Sequence, residues 1–210
     1  MFLRIAAVAL TSLSSLWAFE VERSGGYGSL AIVVERKVGS DALYDTLERE
    51  LESVFKLPGL HLVWRKLDNN TARETFERII VVRLRGDCGC NHPPGELKSK
   101  ILGFTHSSDG IILPFVEIDC DAIRALLYWG GDNVRRSTET MALGRAMARV
   151  LAHEMFHVLI GTPKHSRHGI RQETLTPNEL VTQPAELCEQ DQEDLVNALT
   201  DRGVSGHAAD

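Results

Sequence analysis

Apolar residues along this chain fall into two rhythms. Residues 29–37 (SLAIVVERK), 61–67 (HLVWRKL), 78–85 (RIIVVRLR) and 110–118 (GIILPFVEI) are short, apolar and β-branched, and each reads as a strand. The unbroken apolar run inside 78–85 points to a central strand, buried on both faces. Pro114 cannot donate to a ladder, so the fourth strand is expected at a sheet edge. Between the first two strands, Leu43, Leu47, Leu51 and Phe55 recur every four residues, and Ser40 or Asp41 caps the helix they predict. Asp119 or Asp121 caps a short helix through Leu127.

Residues 138–160 carry the strongest helical pattern. Leu143, Met147, Val150, Glu154 and His157 follow one another at alternating steps of four and three. The stripe is apolar for three turns and then becomes chemical. Gly161 stands where a left-handed residue ends a helix, and Pro163 blocks continuation. A last helix is predicted from Thr176-Pro177 towards Leu199. Four strands, one helix between the first two of them and further helices after the fourth read as an α+β class, with a small mixed sheet of about four strands, a backing helix and the long helix.

The chain has 210 residues, 43% of them hydrophobic, which suits a single domain with a real core. Its net charge of -6 excludes the basic face that nucleic acid requires. Residues 1–18 read as a signal peptide: Arg4 precedes a short apolar region and Ala18 precedes the first acidic residue, Glu20. The expected localisation is therefore secreted or periplasmic. No later stretch is long and apolar enough for a membrane span. Residues 19–28 read as an N-terminal arm, 29–202 as one domain and 203–210 as a disordered tail. In an oxidising compartment Cys88, Cys90, Cys120 and Cys188 allow two disulfides, and Cys88 or Cys90 with Cys120 is the favoured pairing.

The chemistry concentrates at His153-Glu154-Met155-Phe156-His157. Two histidines four apart share one side of a helix and can ligate one metal ion, for which imidazole nitrogen suits Zn2+. Glu154 would then lie beside a water whose proton it can accept as general base. A catalytic zinc takes three protein ligands. Gly161 lets the chain turn sharply and return His165 to the metal. His168 competes for that place, and so does a downstream carboxylate, Glu173 or Glu179.

The segment from His153 through Gly161 to His165 resembles the metzincin clan of zinc peptidases, with each interval one residue longer. Ala152 to His157, Gly161-Thr162, His165 and Gly169-Ile170 also resemble a group of exported bacterial metallopeptidases with an HExxHxxxGTxxH motif. The resemblance implies a metzincin-like (zincin) N-terminal subdomain with a short C-terminal helical part. It implies His165 as third ligand and a peptide or protein substrate, met along an edge strand. Metzincins place a methionine in a turn beneath the metal; here Arg171 follows Gly169-Ile170. The reading is an exported zinc peptidase with Glu154 as base. The alternative is a catalytically inactive metal-binding or interaction protein on the same fold, which has no need of Glu154.

Overall fold

In a computed structural model of the chain, residues 27–35, 39–68, 70–89, 92, 95–96, 100–128, 136–185 and 187–201 are described. The expected signal peptide, most of the N-terminal arm, Cys90 and the expected tail lie outside them. The order is β1 (Gly28–Val34), α1 (Asp41–Val54), β2 (Leu60–Lys66), β3 (Arg78–Arg85), β4 (Gly103–Ser108) and β5 (Ile111–Asp119). Then follow α2 (Cys120–Leu127), α3 (Arg136–Ile160), α4 (Pro177–Val181) and α5 (Glu189–Asp201). Single 3-10 turns lie at Thr71–Arg73 and Gly169–Arg171.

The sheet runs β2-β1-β3-β5-β4. The first three pairings are parallel and β4-β5 is antiparallel, so the mixed α+β class holds. The central place of β3 matches its unbroken apolar run. The edge assignment of the fourth predicted strand does not hold. That strand is β5, and it lies between β3 and β4. Pro114 is tolerated because the β3 ladder begins only at Phe115, and because the β4 register slips between Thr105 and Ser107. Pro114 thus sits in a bulge, where no ladder hydrogen bond is lost.

The true edge, β4, is a fifth strand beyond the four expected. Its residues, Gly-Phe-Thr-His-Ser-Ser, are too polar to register as a strand by hydropathy. The turn that makes it is legible: Asp109 (φ 51°) and Gly110 (φ 79°) form a two-residue hairpin loop with both residues left-handed.

The C-terminal helix is also broken where one was expected. Thr176 opens α4 with a capping box: its hydroxyl accepts from the Glu179 amide at 3.3 Å, and Glu179 accepts from the Thr176 amide at 2.8 Å. The helix stops at Val181 because Pro184 opposes helical backbone before it. From α3, Arg145 donates to the Val181 carbonyl at 2.8 Å and Arg149 to the Glu179 carbonyl at 2.5 Å. These bonds satisfy the acceptors that a broken helix exposes.

One continuous core joins the inward residues of the sheet (Leu30, Ile32, Ile80, Val82, Val116, Ile118) to α1 and α3. The α1 face is the predicted one, with Leu43, Leu47, Leu51 and Phe55 all buried. α3 gives the core Leu143, Met147, Val150 and Leu151. The two helices meet at Gly144, where a Cβ would lie 2.8 Å from the Leu43 carbonyl oxygen. A disulfide joins Cys88 after β3 to Cys120 at the start of α2. Among the described residues Cys188 is free. No described helix is long and apolar enough to cross a membrane.

Gly144→Val should overpack the α1-α3 contact and cost about 1–3 kcal/mol. A fall in the urea unfolding midpoint with an unchanged slope is the expected result.

Candidate metal centre

α3 delivers the first two imidazoles from its last turns. His153 is 9% exposed and His157 is 8% exposed, at the end of the apolar stripe. The helix ends as predicted, with Gly161 at φ 72° and its amide bonded to the His157 carbonyl at 2.9 Å. The chain then reverses through Thr162 and Pro163 and brings His165 back. The His165 ring centroid lies 5.1 Å from that of His153 and 5.0 Å from that of His157. One ligand nitrogen from each of the three rings falls within 4.8 Å of the others.

The hydrogen bonds decide which nitrogens face the site. His153 Nδ1 is 2.9 Å from the Ile170 carbonyl, and His157 Nδ1 is 2.7 Å from the Thr162 carbonyl. A carbonyl only accepts, so each Nδ1 carries the proton and each Nε2 is a bare lone pair. Those two Nε2 atoms are 3.1 Å apart. Two lone pairs at that distance repel unless a cation lies between them. Ligands of a tetrahedral zinc, at about 2.0–2.1 Å from the ion, stand roughly 3.3 Å from one another. The donor set, its tautomers and its spacing therefore fit a divalent metal ion.

Burial holds the His153 imidazole down to about 4, against the Ile170 carbonyl, which favours the charged ring. Burial lowers His157 as well. Both rings stay neutral at physiological pH, the state in which imidazole ligates. Burial pushes Glu154 up to about 7, and the Thr105 hydroxyl opposes it by donating to Glu154 Oε2 at 2.8 Å. Glu154 is 7% exposed, yet it borders an open cleft of about 530 Å³. Leu102, Phe104, Ile112, Leu126, Val150 and Leu175 give that cleft an apolar wall.

The rival third ligands lie elsewhere. His168 is exposed and stands outside the cluster, its carbonyl accepting from the Ser166 hydroxyl at 2.6 Å. Glu179 is committed to the capping box. Glu173 lines the cleft without joining the three rings. His106 turns from the cleft towards Glu117, with Nε2 at 3.1 Å from its carboxylate. Thr105 escaped the sequence reading altogether. The signal that finds its strand is Asp109-Gly110, which requires a partner strand before 110–118; the turn register alone sets Thr105 opposite Pro114, and the bulge moves it opposite Val116. Gly103 admits that strand close to α3: a Cβ there would lie 2.7 Å from Val150.

No family model matches the chain, and no curated protein matches its sequence. Solved structures do. Archaemetzincin from Methanopyrus kandleri is similar at TM-score 0.50 and 14% identity, over 86% of this chain and 99% of that one. A zinc-dependent peptidase from Methanocorpusculum labreanum matches at 0.49 and 12%, over 79% and 99%. Metalloproteinase-II from Bacteroides fragilis matches at 0.43 and 12%, over 81% of this chain and 52% of that one. At 14% identity the likeness to the archaemetzincin structure is one of fold. It agrees with the mixed five-stranded sheet and long helix described above.

His165→Ala should weaken metal binding by more than the ~10–100-fold typical of changes around a ligand, and His168→Ala by less than about twofold. Competition with a chromophoric chelator ranks them, and the reverse order would reassign the ligand.

The titrations make a second prediction. His153 binds its proton at about 4 folded against an ordinary 6.5, so between those values the unfolded chain holds the extra proton and acid destabilises. Glu154 binds at about 7 folded against 4.5, so the folded chain holds the extra proton and acid stabilises. The two oppose each other between 4.5 and 6.5. In metal-free protein, Glu154→Gln should therefore expose the histidine effect and add a loss of about 1 kcal/mol per pH unit as pH falls through that window. Urea midpoints of chelator-treated protein measure it; parallel slopes for the two proteins would mean that Glu154 is already ionised.

Proposed function

We propose that this chain is an exported zinc-dependent metallohydrolase, a peptidase in which His153, His157 and His165 hold the metal and Glu154 is the general base. The observation that carries the reading is the meeting of three imidazoles beside a buried carboxylate at the wall of an open cleft. A structural metal pin needs closed coordination and no neighbouring base. Bound among these rings, zinc supplies Lewis acidity, the property that makes water nucleophilic near neutral pH.

The protein groups do the rest. The carbonyls of Ile170 and Thr162 fix the ring orientations through Nδ1. Thr105 occupies Glu154 Oε2, which leaves Oε1 to take a proton at the cleft and pass it to a leaving amine. The buried setting of Glu154 makes it a stronger base than an exposed carboxylate. The edge strand β4 lines the same cleft with Gly103, Phe104, Thr105 and Ser107. An extended peptide added to that edge gains main-chain hydrogen bonds with little demand on sequence. Export is supported by the apolar segment of residues 1–18 and by the Cys88–Cys120 disulfide, a bond that persists in oxidising compartments.

Elemental analysis of the purified protein should give about one zinc per chain. Glu154→Gln should keep that zinc and lose peptide hydrolysis by on the order of 10²–10⁴-fold, the worth of a positioned base. Mass spectrometry of a mixed peptide library reads the cleavage. Undiminished turnover in the zinc-loaded variant would remove Glu154 from the base role, and protein that takes up no zinc would end the proposal.

A further inference from the structure

The three imidazoles are not held alike. His153 and His157 each donate Nδ1–H to a carbonyl, whereas among the described residues no hydrogen bond holds the exposed His165 ring. The place of His165 depends on the backbone on either side of it, and both sides are bonded to one residue. The Ser166 amide donates to the Arg171 carbonyl at 3.0 Å, and Arg171 Nη2 donates to the Lys164 carbonyl at 3.4 Å. Arg171 is 7% exposed, and its Nη1 lies 3.0 Å from Asp191 Oδ1 and 2.8 Å from Asp194 Oδ2, both on α5. Its guanidinium also lies 5.9 Å from the centroid of the Phe156 ring, on the helix that carries the other two imidazoles. Asp191 is fully buried, and among the described residues its Oδ2 has no hydrogen-bond partner. A buried carboxylate in that state is tolerated only with a cation fixed against it.

We propose that Arg171, clamped by Asp191 and Asp194, is the positioning residue for His165, so that helix α5 sets the metal affinity of a centre it does not touch. This rests on the metal-centre reading above. A single guanidinium does this because its planar fork offers separate donors to the carboxylates and to the loop carbonyl. An ammonium in its place has one point of charge and cannot span all three.

The test is zinc affinity of the full chain, measured against a chromophoric chelator. The exchange of Arg171→Met together with Asp191→Leu removes the ion pair without stranding a buried carboxylate. Arg171→Lys is the milder variant. The double exchange should lower affinity about 10–100-fold, the range for residues that orient a ligand, and Arg171→Lys should fall between it and the parent. In a His165→Ala background the same exchange should change affinity by less than about twofold, because the ligand it positions is gone. The d–d absorption of the cobalt-loaded double exchange should shift towards that of His165→Ala. Parental affinity in both Arg171 variants would overturn the proposal, and so would an equal loss with and without His165. If the double exchange does not fold, Arg171→Lys decides by the same comparison. Parent protein that binds no zinc would instead overturn the metal centre itself.

Discussion

Two bare imidazole nitrogens 3.1 Å apart, with their protons committed to backbone carbonyls on the far side, form the constraint around which this structure is arranged. Neither ring can turn to relieve the repulsion without giving up a hydrogen bond in a buried place. Burial also holds both rings neutral, so a proton is a poor remedy. A divalent cation is the species that satisfies the geometry and the electrostatics together. The carbonyls that impose this come from Thr162 and Ile170, in the segment that also carries His165. One loop thus orients two of the clustered imidazoles and supplies the third.

The rest of the fold keeps that loop and helix α3 in register. α3 is buried by β5, β4 and α1 on its apolar side. Two glycines allow these close approaches: Gly144 lets α1 rest its backbone on α3, and Gly103 lets the edge strand reach Glu154 through Thr105. The carboxylate is therefore held between two elements that the chain brings together from 49 residues apart.

Buried arginines hold the irregular segments. Arg124 bonds the carbonyls of Asp87 and His92, together with the Asp87 carboxylate. Arg149 pairs with Glu50 and bonds the Glu179 carbonyl. Arg171 pairs with Asp191 and Asp194 and bonds the Lys164 carbonyl. In each case a carboxylate neutralises the guanidinium and the remaining donors secure carbonyl oxygens of loops or of the short helix α4. Packing of apolar side chains cannot supply that service to exposed carbonyls.

What the sequence determined by itself had local causes. The period of Leu43 to Phe55, the stripe from Leu143 to His157, the stop at Gly161 and the helix starts near Ser40-Asp41, Asp119-Asp121 and Thr176-Pro177 are all decided within a few residues. So was the presence of His153, Glu154 and His157 on one helix, because their spacing follows from 3.6 residues per turn. Tertiary structure decided what depends on distant partners. It chose among His165, His168 and the carboxylates, because only a folded loop shows which ring returns to α3. It moved the edge from the strand with Pro114 to the polar strand β4, because a bulge removes the cost that proline carries in a ladder. It gave Thr105 and Arg171 their partners, at separations of 49 and 20 residues, where no periodicity in the chain can point.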